Sequence, residues 1–142
     1  MALPDPKPGL VISYAYLWRD EARAGQDEGG KARPCVVILA VEGDVGRRVV
    51  TVAPVTHSPP RAAADAVELP PATKARLGLD DARSWIVSTE VNRFVWPGPD
   101  LRPISRSRPR DFAFGFIPGA ILQRLRDQIA SHRRVGLTPR DE

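Results

Sequence analysis

Apolar and polar positions change rhythm several times along the chain, and each change marks an element. From Gly9 to Trp18, Leu10, Ile12, Tyr14, Tyr16 and Trp18 fall on one face, while Val11, Ala15 and Leu17 fall on the other. A strand apolar on both sides belongs in the middle of a sheet. Lys31-Ala32-Arg33-Pro34 then opens the apolar run Cys35 to Ala40, and after Glu42 to Arg47 a second run, Arg48 to Val55, ends in Thr56-His57-Ser58. Proline at a strand's first position removes no ladder bond, β-branched side chains favour extended backbone, and the glycine- and acid-containing segment between is turn-forming. The pattern predicts a hairpin with its polar residues gathered at the strand ends.

The remaining pattern is shorter in period. Ala66 to Leu69 reads as a short strand. Pro70 to Gly78 has proline at its start and glycine just past its end, the asymmetry of a short helix. Ser84 to Trp96 alternates as one long strand or two shorter ones, stopped by Pro97-Gly98-Pro99; Trp85, Val87, Thr89 and Val91 would face one way, and Ile86, Ser88, Glu90 and Asn92 the other. Ile117 to Arg134 carries Ile121, Leu122, Leu125 and Ile129 as a helical stripe, with Arg133 and Arg134 suiting its C-terminal end and Gly136 able to close it. Residues 1–8 read as an extended proline-spaced leader, 19–30 as a mobile polar loop that covers a site or simply connects, 101–110 as a basic irregular connector, and 137–142 as a fraying tail. Short strands with one short and one terminal helix predict a mainly β protein with α, a small curved antiparallel sheet capped by helices, as a single domain over 1–142.

Composition narrows the class. The chain has 142 residues, enough for one core and too few for two. No stretch of about 18 apolar residues is present to cross a membrane, and no secretory leader opens the chain, so a soluble, cytoplasmic protein is expected. The single cysteine, Cys35, cannot form an internal disulfide and reads as a small buried residue. His57 and His132 stand far apart, so neither a metal nor another cofactor is expected. The net charge of +4 rests largely on arginine, with 18 of the 21 basic residues. Arginine suits bidentate phosphate contact, so a nucleic-acid partner is permitted; a codon-composition habit explains the bias equally well.

The residues K-x-R-P-C-V-V-I followed by V-x-P-V-T-H-S, preceded by K-P-G-L-V-I-S-Y, resemble the MazF/PemK-like toxin family, over roughly residues 7 to 58. The resemblance implies an SH3-like barrel paired as a homodimer, the toxin half of a type II toxin–antitoxin pair, and metal-free cleavage of single-stranded messenger RNA in which a ribose 2′-hydroxyl attacks the adjacent phosphorus. It also implies an antitoxin whose acidic segment folds over the basic groove.

That chemistry needs a base, a cation for the phosphoryl oxygens and an acid for the leaving oxygen. Arg33 matches the family's arginine at the Arg-Pro step, and its fork can hold two phosphate oxygens. Thr56 matches the family's threonine or serine, where a hydroxyl can donate to phosphate. His57 departs from the small polar residue usual there; imidazole titrates near neutrality and can move protons, or it can be a simple polar contact. Glu28, five residues before Arg33, stands where the family often carries a glutamate, and reads equally as a solvated loop acid. Lys31 and Ser58 are candidate phosphate contacts. Glu90, Asn92 and Arg93 are candidates for base recognition, since single-stranded RNA is read by hydrogen bonds and stacking. Two other readings remain: a non-catalytic RNA- or protein-binding barrel of the same shape, because small barrels serve many functions, and a structural partner in a larger assembly.

Overall fold

The computed structural model describes residues 3–26 and 29–140. In it β1 (Leu10–Tyr14) lies between β2 (Arg33–Glu42) and β7 (Ala113–Phe116), antiparallel to both. The interior place expected for the first strand is the one found, and all five of its residues are buried. The predicted hairpin is β2 with β3 (Arg48–Thr56), joined through a one-turn 3₁₀ segment, Asp44–Gly46. The 84–96 pattern resolves into two strands, β5 (Trp85–Val87) and β6 (Glu90–Val95), both pairing with β3. β4 (Ala66–Glu68) adds to β5. The eight strands form a mainly antiparallel sheet, with α2 (Pro71–Leu77) and α3 (Gly119–Ser131) as the helices expected near 70–78 and 117–134.

Both faces of this sheet are covered, as the two-sided apolar pattern of β1 requires. Val11, Val36, Ile38, Ala53 and Val55 join Ile121 and Leu125 of α3 in one core cluster. Leu10, Ile12, Tyr14, Tyr16, Val37 and Val52 form the other with Phe94, and Trp18 packs against it. Tyr14 stacks on Phe94 with ring centroids 4.5 Å apart. The two clusters alternate along β1, β2 and β3, so a one-residue register slip would exchange their faces. One irregularity is built in: the β2–β3 register shifts between Val37 and Leu39. The carbonyl of Ile38 there accepts a hydrogen bond from Arg126 of α3 at 3.0 Å, which satisfies a group that the bulge takes out of the ladder.

Four expectations are corrected. The 19–30 segment contains a helical turn, α1 (Arg19–Arg23), because Glu21 accepts the Trp18 N–H at 3.0 Å and so caps its start. α3 ends at Ser131, with His132 extended, rather than continuing to Gly136. Residues 136–139 do not fray: β8 (Gly136–Pro139) runs parallel to β6. The reason lies one residue on, where the buried Arg140 guanidinium pairs with Asp100 at 2.9 Å and donates to the Ala15 carbonyl at 2.9 Å. Finally, β7 lies in a stretch to which the pattern assigns no strand. The leader is held too, since Asp5 pairs with Arg48 and Pro6 is buried.

Candidate functional site

Antiparallel pairing sets the site's centre. Cys35 lies opposite Pro54, and the same register continued two residues places Arg33, at the start of β2, opposite Thr56, at the end of β3. The side chains follow: Arg33 Nη1 donates to the Val55 carbonyl at 3.5 Å, and its Cζ lies 4.9 Å from the centroid of the Trp18 ring. Its Nε is buried without a hydrogen-bond partner among the described residues. The guanidinium is thereby oriented by a ring and one weak bond, with further N–H groups not committed to any described residue.

A recess of about 240 Å³ opens beside it, lined among others by Lys31, Arg33, Thr56, His57, Lys74 and Asp80. Thr56 Oγ1 accepts the Ser58 N–H at 3.2 Å, which turns the chain at the strand end and leaves the hydroxyl proton free to donate outward. His57 is exposed, and its Nε2 lies 2.9 Å from Asp80 Oδ2.

Lys74, Asp80 and Ser84 were not singled out by sequence pattern. Lys74 of α2 is buried, with Nζ donating to Asp80 Oδ1 at 2.7 Å, to Ser84 Oγ at 2.5 Å and to the Ala82 carbonyl. The hydrogen bond from Lys74 chiefly holds the Asp80 carboxyl below the usual aspartate range; burial opposes it, and the Lys74 and His57 charges add smaller lowering effects. Asp80 is thus a carboxylate anchored from behind by a buried ammonium and presented to His57 from the front. No simple signal marks it: Lys74 sits in a short helix where a lysine reads as a solvated side chain, and Asp80 in a polar loop. Cys35, next to the site in sequence, is fully buried, and burial pushes its thiol up despite the Arg33 charge.

The structure gathers Arg33, Lys31, Thr56 and His57 around one recess, with Ser58 adjoining it in the chain. It does not bring Glu90, Asn92 and Arg93 there. Asn92 is fully buried; its side chain accepts from the Leu17 N–H at 2.9 Å and donates to the Leu17 carbonyl at 2.8 Å. The expectation that it faces a binding site is corrected, because both ends of its amide are taken up by the chain just after β1. Glu90 Oε1 accepts from Tyr16 Oη at 3.0 Å and from the Arg19 N–H at 2.9 Å. Burial first, and the Glu90 charge second, push the Tyr16 phenol up, so it remains a donor. Arg93 is exposed on β6. Glu28 lies outside the described residues. No helix among the described residues is long and apolar enough to cross a membrane, and no group of three His, Cys, Asp or Glu side chains among them could hold a metal ion.

A small, mainly antiparallel sheet carrying a cationic recess at the open end of its central hairpin defines the class. The family model for the PemK-like, MazF-like toxin of type II toxin-antitoxin system matches residues 16–94, more than half of the chain. The chain belongs to that family, and membership implies an antitoxin partner. No curated protein is similar enough to stand beside it as a relative. The matched stretch begins just after β1 and ends within β6, and contains Arg33, Thr56, His57, Lys74 and Asp80.

Proposed function

We propose that this chain, acting as one domain, is the toxin of its pair and a metal-independent, sequence-preferring endoribonuclease that cleaves single-stranded messenger RNA in the cytoplasm. In the reaction the ribose O2′ bonds to the adjacent phosphorus, the bond from phosphorus to O5′ breaks, and a 2′,3′-cyclic phosphate and a 5′-hydroxyl remain. Arg33 neutralises charge growing on the phosphoryl oxygens, where a positioned cation lowers the barrier most. Thr56 donates its hydroxyl proton to the same phosphate, and Lys31 adds positive charge at the rim. His57 takes the 2′-hydroxyl proton or supplies one to O5′, with Glu28 the alternative proton carrier.

The observation that carries this reading is the convergence of Arg33, Thr56 and His57 on one recess whose lining includes the basic residues Lys31 and Lys74 and, among the described residues, one carboxylate, that of Asp80. Residues separated by 23 positions in sequence meet there because one hairpin register aligns them. An acidic, otherwise disordered antitoxin segment covering this basic end would block RNA, and a homodimer would present two such ends.

Expression in a bacterial host tests the reading first. Wild-type protein arrests growth with messenger RNA loss, and Arg33→Ala protein produced at the same level does not. Equal toxicity of both proteins, or arrest with messenger RNA intact, would contradict a ribonuclease centred on Arg33 and leave a binding module as the better account.

A further inference from the structure

A second recess, of about 400 Å³, lies between α1 and the chain leading into β8. Arg19, Arg23 and Arg134 line it, together with small and apolar residues such as Val135 and Leu137, and no carboxylate among the described residues lines it. Arg23 and Arg134 are exposed and make no ion pair or side-chain hydrogen bond among the described residues. Arg19 lies along the backbone of Gly136 so closely that a Cβ there would come within 2.8 Å of its Cδ. Its Nε is buried and has no hydrogen-bond partner among the described residues. Like charges held around one concavity raise its potential and concentrate anions there, and guanidinium groups select oxyanions that accept two hydrogen bonds.

This recess is connected to the Arg33 site through a single residue. The ring of Trp18 carries the Arg33 guanidinium, and Trp18 is followed directly by Arg19. Positively charged grooves with aromatic side chains alongside are how single-stranded nucleic acid is held, the charges tracking its phosphates. We infer that the recess formed by Arg19, Arg23 and Arg134 is a second phosphate-binding subsite, which holds single-stranded RNA beyond the phosphate at Arg33. The inference rests on the ribonuclease reading for the identity of the polyanion as RNA. Two-thirds of the recess's described lining comes from residues 134–139, beyond the stretch that the family model matches. An acidic peptide is the rival occupant, and the aromatic Trp18, which touches Arg33 and precedes Arg19 in the chain, favours the nucleic acid.

The test is equilibrium binding of a fully 2′-O-methylated oligonucleotide, which cannot be cleaved by its own 2′-oxygen, of about 12 nucleotides so that it covers both sites. The double variant Arg23→Gln/Arg134→Gln is compared with Arg106→Gln/Arg110→Gln, which removes the same charge from the exposed 101–110 segment. At about 0.7 per phosphate contact on a single strand, the first double variant should lower the slope of log affinity against log salt by about 1.4 and bind about tenfold more weakly; the second should keep the wild-type slope. Equal behaviour of the two double variants overturns the subsite, as does a wild-type protein that fails to bind the oligonucleotide. So does a result in which Arg23→Gln/Arg134→Gln keeps its RNA affinity but loses binding of a polyglutamate peptide. Because no cleavage is read, loss of the subsite leaves the ribonuclease reading standing, and inactive protein that still needs Arg23 and Arg134 to bind leaves the subsite standing.

Discussion

Replacing Lys74 by methionine keeps the length of the side chain and removes the ammonium that anchors the back of the site. The wild-type ammonium is almost fully buried and satisfies Asp80, Ser84 and the Ala82 carbonyl at once. Hydrogen bonds to a charged group contribute about 1.5–3 kcal/mol each in favourable cases, yet three offsets apply here. Ser84 Oγ already donates to the Ala82 carbonyl at 3.2 Å, so that oxygen keeps a partner. The Asp80 side chain is 55% exposed, so water replaces its lost donor. Removing the ammonium also removes its own desolvation cost. The net loss should be about 1–3 kcal/mol, read from urea unfolding at an unchanged denaturant slope. The acid limb supplies the second signature. Asp80 is held below its ordinary range chiefly by Lys74, so the stability from this pairing is fully present above the unfolded aspartate value and is lost as pH falls through the lower folded value. The gap between wild type and Lys74→Met should therefore be widest near neutral pH and narrow toward acid. Equal stability at neutral pH, or a gap that stays constant into acid, would refute this account of the anchor.

Two further substitutions test the frame around the site. Arg140→Met leaves Asp100 nearly buried and without its cation, and should cost about 3–5 kcal/mol in thermal or urea unfolding; adding Asp100→Asn should recover much of that, and a cost below about 1 kcal/mol would mean that β8 is not anchored through Arg140. Arg126→Ala uncovers the Ile38 carbonyl at the bulge and should destabilise by about 1 kcal/mol, with amide exchange quickened near Val37 to Leu39; unchanged stability and exchange would show that solvent satisfies the bulge equally well.

Where neighbouring residues decided the outcome, the sequence was readable. Leu10, Ile12, Tyr14 and Tyr16 share one cluster and Val11 the other, as their alternation requires. Arg33 and Thr56 lie at the matching ends of one hairpin, so a short connection between two apolar runs was enough to bring them together, although the bulge at Ile38 was not readable. Pro70, Pro71 and Gly78 marked α2, and Gly78 adopts the left-handed conformation at φ 72° that its capping position demands. Distant partners were not readable. Alternation put Glu90 and Asn92 on a common face, but not the Tyr16 hydroxyl and the Leu17 backbone that wait there. β8 has little strand character of its own; the ion pair between Arg140 and Asp100, 40 residues apart, lies just beyond it. Lys74 and Asp80 belong to the site through a helix and loop that no short motif marks.

The central claim is tested most directly by incubating purified wild-type and Arg33→Ala proteins with a long single-stranded RNA in excess EDTA and mapping the new ends. The account predicts that the wild type cuts at a short recurring motif, leaving 2′,3′-cyclic phosphate and 5′-hydroxyl ends, and that the variant leaves the RNA intact. Intact RNA with both proteins, or cutting that persists without Arg33, would contradict it.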